Sequence, residues 1–301
     1  MKLSRVVLVG ALIGSSFVAS AAHAETKSWA ALKGKVPAST VIVGSVDATA
    51  IRATPSFPKV MEFVRGQGKE IGEVLDLVKT ACGTELTAML GDVAFAFDER
   101  ERGVIVISLA GMDQKKVTEC GTKVLAAVQP KAKLATKVTG KLTEYSIGND
   151  KLYAAWLAPD MLAVSTEDKD SNVALEAMLA GAAPAGDLAA YVGKANTAAA
   201  AWIAGVFKED DMKGGWATLT IGKTVAVALR ATATTPKAVE KARKEANDAK
   251  KRGLEKSAKL PELKKVFQAM KVGGTGNEVT VDVSVPESSI PALLPAFDKV
   301  L

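Results

Sequence analysis

Three short stretches of this 301-residue chain hold residue types at spacings that chemistry could use. Ser56-Phe57-Pro58-Lys59 has the S-x-x-K spacing, in which a lysine on the first turn of a helix activates a serine nucleophile. The companion S-D-N and K-T-G elements are missing, so we read it as loop-to-helix punctuation. Gly222-Lys223-Thr224 has the ending of a phosphate-binding loop. That motif needs glycine where this chain has Ala217, and a helix where a strand pattern follows, so the stretch reads as a hairpin turn. Asp168-Lys169-Asp170-Ser171-Asn172 begins like a calcium loop. The glycine required next is Val173 and the bidentate glutamate is Leu179, so helix capping is the better reading.

Other chemistries are excluded by what the chain lacks. His23 is the only histidine, and it falls in a segment expected to be removed. Lys2 and Arg5, the apolar run Val6 to Ala21, and Ala22-His23-Ala24 form an export signal with an A-x-A cleavage site. Cleavage after Ala24 leaves a periplasmic or secreted chain with no histidine for a catalytic triad, a general base or a metal ligand. No later run is apolar and long enough to span a bilayer. No cofactor and no metal site is expected. The reading is of a binding protein rather than an enzyme. The alternatives are a hydrolase or transferase using Ser/Lys or carboxylates, and a carrier of a lipid-like ligand between two halves.

Two features remain. Cys82 and Cys120 are an even count in an exported chain, which predicts one disulfide worth roughly 3–4 kcal/mol through loop closure. The second feature is charge. Pro236 to Lys265 holds 11 Lys or Arg against 5 Asp or Glu, a net of +6. The mature chain carries 37 basic and 33 acidic residues, +4, so the remainder is −2. Lys241, Arg243, Lys244, Lys250, Lys251 and Arg252 are therefore the candidate contacts to an anionic envelope component. The competing reading is a solvated helix laced with Glu–Lys pairs. Export argues against nucleic acid. An apolar small ligand is the other candidate partner.

The elements that position these residues follow from periodicity. Val41 to Val46, Asp92 to Phe97 and Gly103 to Ala110 read as strands, and Asp98 to Arg102 as a charged hairpin tip. Helical spacing marks Val60 to Gly66, Ile71 to Cys82 and Asp113 to Val128. Three short strands, Leu142 to Ile147, Leu152 to Leu157 and Met161 to Ser165, precede a helix from Val173. Gly181 to Gly186 is the linker. Ala198 to Phe207 opens the second half. A hairpin follows with a type II′ turn at Gly222-Lys223. Thr235 and Pro236 start the long basic helix. The narrow face Val239, Ala242, Ala246, Ala249 and Gly253 would let that helix lie close on a sheet. The expected fold is α+β, with antiparallel sheets, helices packed on one face and two related strand-hairpin-helix halves at 25–181 and 187–301.

Overall fold

The computed structural model describes residues 24–67, 69–166, 171–207 and 211–298. The export signal up to His23, and Asp168 to Asp170 of the calcium-like stretch, lie outside them. The fold is α+β, with antiparallel pairing between neighbouring strands within each unit. The chain divides into two compact units, one of Glu25–Arg52 with Val64–Ala185, the other of Ala53–Phe63 with Gly186–Leu301.

The first unit carries strands β1 (Ile42–Val46), β2 (Leu90–Phe97), β3 (Gly103–Leu109), β4 (Leu134–Thr139), β5 (Leu142–Ile147), β6 (Asp150–Ala158) and β7 (Met161–Ser165), in the order β1-β2-β3-β7-β6-β5-β4. Its helices include α1 (Lys27–Leu32) and α2 (Ala48–Arg52). After α3 (Phe57–Gly66) come α4 (Lys69–Cys82), α5 (Leu86–Met89), α6 (Gln114–Val128) and α7 (Val173–Leu179). Asp47 does not merely end a strand. Its carboxylate accepts from the Ala50 N–H at 2.8 Å and starts α2, an Asx cap that apolar patterning does not reveal. Strand β4 was also not anticipated, because an alternation as polar as Leu134 to Thr139 has no apolar face to register.

The core of this unit lies on one sheet face. Val43, Ala94, Ala96, Val104, Val106 and Ala163 are all fully buried there. Trp29 and Leu32 of α1, and Leu175 and Met178 of α7, close over them. A polar clamp fixes α1. Thr26 caps it by accepting from Trp29 N–H. Asp92 accepts from Ser28 N–H at 2.7 Å and from the Ser108 hydroxyl at 2.8 Å. A buried carboxylate at a helix start is stabilised by such donors and by the helix dipole.

The second unit carries α8 (Gly186–Lys194), β8 (Ala201–Val206), β9 (Met212–Ile221), β10 (Thr224–Ala233), α9 (Pro236–Lys256), α10 (Pro261–Ala269), β11 (Lys271–Thr275), β12 (Glu278–Pro286) and α11 (Ile290–Asp298). Its strand order is β11-β12-β10-β9-β8. Val225, Val283 and Val285 pack under Leu263, Val266, Phe267 and Leu293 in a filled core. Thr235 caps α9 as expected. Strand β9 begins at Met212. The turn at Gly222 is not type II′, since Gly222 is not among the residues at positive φ. Its amide donates to Thr224 C=O, and the Lys223 carbonyl accepts from Glu287 N–H at 3.1 Å. Tertiary pairing to Glu287 therefore shapes this turn, which local propensity alone misjudged.

Candidate functional site

The S-x-x-K pair does not form a nucleophile and base. Ser56 is buried, and its N–H donates to the buried Glu287 carboxylate at 2.7 Å. Lys59 is exposed and donates to Glu62 at 2.7 Å. That hydrogen bond raises the lysine pKa, the wrong direction for a base. Gly222 to Thr224 joins two strands, so no helix start is present to receive phosphate. Of the calcium-like stretch, Ser171 accepts from Val173 N–H and Asn172 donates to Glu176. Both contacts are local to the start of α7, whose N-cap Asn172 makes no side-chain cap hydrogen bond. The buried Asp92–Ser108 pair is sealed in the core and serves α1.

Cys82 and Cys120 are joined in a disulfide, 38 residues apart. It links the last residue of α4 to the middle of α6.

On α9, Lys241, Arg243, Lys244, Lys251 and Arg252 are exposed, and Lys250 is half-buried with Nζ on the Met270 carbonyl at 2.5 Å. None of the six is in an ion pair among the described residues. The expected Glu–Lys lacing is thus not made. Of the narrow face, Val239 and Gly253 are buried, and Ala242, Ala246 and Ala249 are half-buried. A Cβ on Gly253 would overlap the Phe267 ring.

The feature that stands out is the face of the first unit's seven strands opposite its core. Strand register places Phe95 beside Ile105, and Val93 beside Ile107. Ile105 in turn faces Val164, and Ile107 faces Leu162. Leu162 faces Trp156, which donates to the Tyr145 hydroxyl at 3.3 Å. Phe95 stacks on Phe97, with ring centroids 5.3 Å apart. None of these large apolar side chains is buried; all are half-buried. The two faces of β2 are thus inverted in size, with small Ala94 and Ala96 sealed in the core and Phe95 and Phe97 left partly wet.

Helix α6 packs against β4, at the edge of this face. Gly121 approaches Leu134, which shares the face with Tyr145 and Trp156, and α4 packs on α6. Yet α6 has no buried residue, and none is described in α4. Ile71, Val74 and Val128 are exposed at 42%, 53% and 60%. An amphipathic helix normally gains its stability by burying its apolar stripe. Here helix and sheet both present apolar surface that neither covers. A groove of about 950 Å³ opens between the first half of α6 and the Trp156 to Pro159 end of β6. Seven of its ten lining residues, all from the Asp113 to Lys123 side, are polar or charged, and Trp156, Ala158 and Pro159 supply the apolar wall.

Sequence reading located β2 and β3 but did not identify this face. The available signal was the size alternation in Val93-Ala94-Phe95-Ala96-Phe97. Periodicity marks a two-faced apolar strand but not which face is filled.

No protein-family profile matches the chain, and no curated protein matches it in sequence. Among solved structures it is similar to crystal form III of TP0453, with a TM-score of 0.51 at 8% identity over 88% of this chain and 97% of that one. Crystal forms I and IV of TP0453 align with a TM-score of 0.48 and 9% identity. Form I covers 88% of this chain and 96% of the other; form IV covers 89% and 99%. Similarity at this level of identity is one of fold.

Proposed function

We infer that this chain is an exported, non-catalytic binding protein of the cell envelope, and that its half-covered sheet face takes an apolar ligand. The observation that carries this is the inversion on β2 and β3: Phe95, Phe97, Ile105 and Ile107 are less buried than the alanines and valines between them. Covering a further ~200 Å² of apolar surface would supply about 5 kcal/mol before the costs of ordering the ligand. A single acyl chain or similar apolar group has the size and chemistry for this. Export rests on the charged, apolar and A-x-A pattern of the first 24 residues, in keeping with a disulfide. Residues 25–181 and 187–301 are read as two related halves.

The unpaired cations of α9 favour a second contact, to an anionic envelope component. Replacing Lys241, Lys244 and Lys251 by Gln should weaken binding to anionic vesicles and leave neutral vesicles unaffected.

The main reading is tested by titrating the protein with a polyene fatty acid whose fluorescence rises in apolar surroundings. Saturable binding that Ile107→Glu weakens at least about tenfold, with an unchanged circular dichroism spectrum, is the expected result. Absence of saturable binding to the wild type would overturn it.

A further inference from the structure

The groove beside α6 has two unlike walls. Trp156, Ala158 and Pro159 form the apolar one, and the first half of α6 forms the other. On that half Lys115, Glu119 and Lys123 recur every fourth residue. Their charges therefore alternate plus, minus, plus along one side of the helix, at steps of about 6 Å. All three are exposed. Lys115 and Glu119 meet at 4.0 Å, and an exposed pair that loose contributes little. Lys123 is in no ion pair among the described residues. Thr118 and Thr122 also line the groove. Their hydroxyls donate to the Gln114 and Thr118 carbonyls, at 2.9 and 2.8 Å. Those protons are spent, so each hydroxyl oxygen is left as an acceptor. This wall thus offers cations to one part of a ligand and acceptors to another. Trp156 ties the groove to the sheet face, because it lies beside Leu162, and Leu162 beside Ile107. Its indole N–H is taken by Tyr145, so Trp156 meets a ligand through its ring.

We propose that the ligand of the apolar face is a single-chain amphiphile with a zwitterionic phosphate–ammonium head, and that this groove holds the head. This rests on the apolar-face reading above and adds the class of ligand. The phosphate pairs with Lys123, and the ammonium with Glu119 and the hydroxyl oxygens of Thr118 and Thr122, against the Trp156 ring. A purely anionic head would meet Glu119 about one helical turn from either lysine. An uncharged head would leave all three charges unanswered. From Trp156 the tail crosses β7 and β3 to β2. That path is three strand spacings, roughly 14 Å, within reach of a medium-length acyl chain.

Isothermal titration calorimetry on the full chain compares three single-chain lipids of equal chain length, each below its aggregation threshold. They are lysophosphatidylethanolamine, lysophosphatidylglycerol and monoacylglycerol. The wild type should bind the first at least about tenfold more tightly than either of the others. Glu119→Lys leaves a wall of three cations and should invert the order of the two phospholipids. Lys123→Gln should weaken lysophosphatidylethanolamine and spare monoacylglycerol. Ile107→Glu should weaken all three alike. Both substituted α6 residues are exposed, and an unchanged circular dichroism spectrum checks that each variant is folded. Phosphoethanolamine without a chain should not compete at the same concentration. Competition by it would overturn the joint site, since the head alone would then suffice. Equal affinity for the three lipids, or an unchanged order in Glu119→Lys, would overturn the head assignment and leave the apolar-face reading standing. No binding of any of the three by the wild type would instead sink the apolar-face reading, and the head assignment with it.

Discussion

Ala94 and Phe95 are consecutive residues of β2 that face opposite ways, and the smaller is the better buried. Ala94 is sealed at 0% exposure, while the Phe95 ring stays half-buried beside Ile105 and Phe97. A sheet built only for stability would put the ring in the core. The cost of substitution should follow burial rather than size. Ala94→Leu should destabilise by about 1–3 kcal/mol through overpacking. Phe95→Ala should cost less than the ~3–5 kcal/mol of a fully buried phenylalanine, while weakening binding of an apolar probe. Urea denaturation of both variants, with probe titration of Phe95→Ala, checks this.

Gly253 lets α9 lie against Phe267, where any Cβ would overlap the ring. Gly253→Leu should lower stability by several kcal/mol, more than the ~1 kcal/mol gain in helix propensity can offset. Gly193, at the exposed end of α8 with nothing near its Cβ position, is the control: Gly193→Ala should be neutral or stabilising. Thermal unfolding of the two variants distinguishes packing from propensity.

The Asp92 carboxylate holds the start of α1 through Ser28 and is itself held by Ser108. Asp92→Ala should cost about 2–4 kcal/mol, because it leaves the buried Ser28 amide without its acceptor. Asp92→Asn retains one acceptor and should cost less. The ranking, measured by urea denaturation, is the prediction.

At the β2–β3 hairpin tip, burial pushes the Asp98 pKa up. The Arg102 guanidinium and the Arg102 and Arg100 amides outweigh it and hold the carboxyl below its ordinary value. A depressed folded-state pKa gives stability that is present above the unfolded-state value and lost as pH falls through the folded one. The stability difference between wild type and Asp98→Asn should therefore be constant near neutrality and shrink on acidification below the ordinary carboxylate range. A difference that grows on acidification would show that the ion pair is not its source.

Several parts of this arrangement were legible in the residues. Thr235 and Pro236 start α9, Asp113 caps α6, and the two cysteines pair. Each depends on little beyond residue identity: a cap satisfies nearby amides, and in a chain with two cysteines each has one possible partner. The Gly222 turn and strand β4 were not legible, because the Glu287 amide and the β5 ladder that shape them come from elsewhere in the chain. The apolar face was hidden for a related reason. Phe95 and Ile105 carry the same hydrophobic signal whether or not a neighbour covers them, and coverage is a property of tertiary packing.

The most direct measurement is photo-crosslinking with a fatty acid bearing a diazirine near its chain end, followed by peptide mapping of the full chain. Label should fall on 93–97, 105–107, 156 and 162–164, saturate with probe, and be displaced by unlabelled fatty acid. Label that does not saturate, or that collects on α9 while the β2–β3 peptides stay unmodified, would contradict the assignment of this face as the binding site.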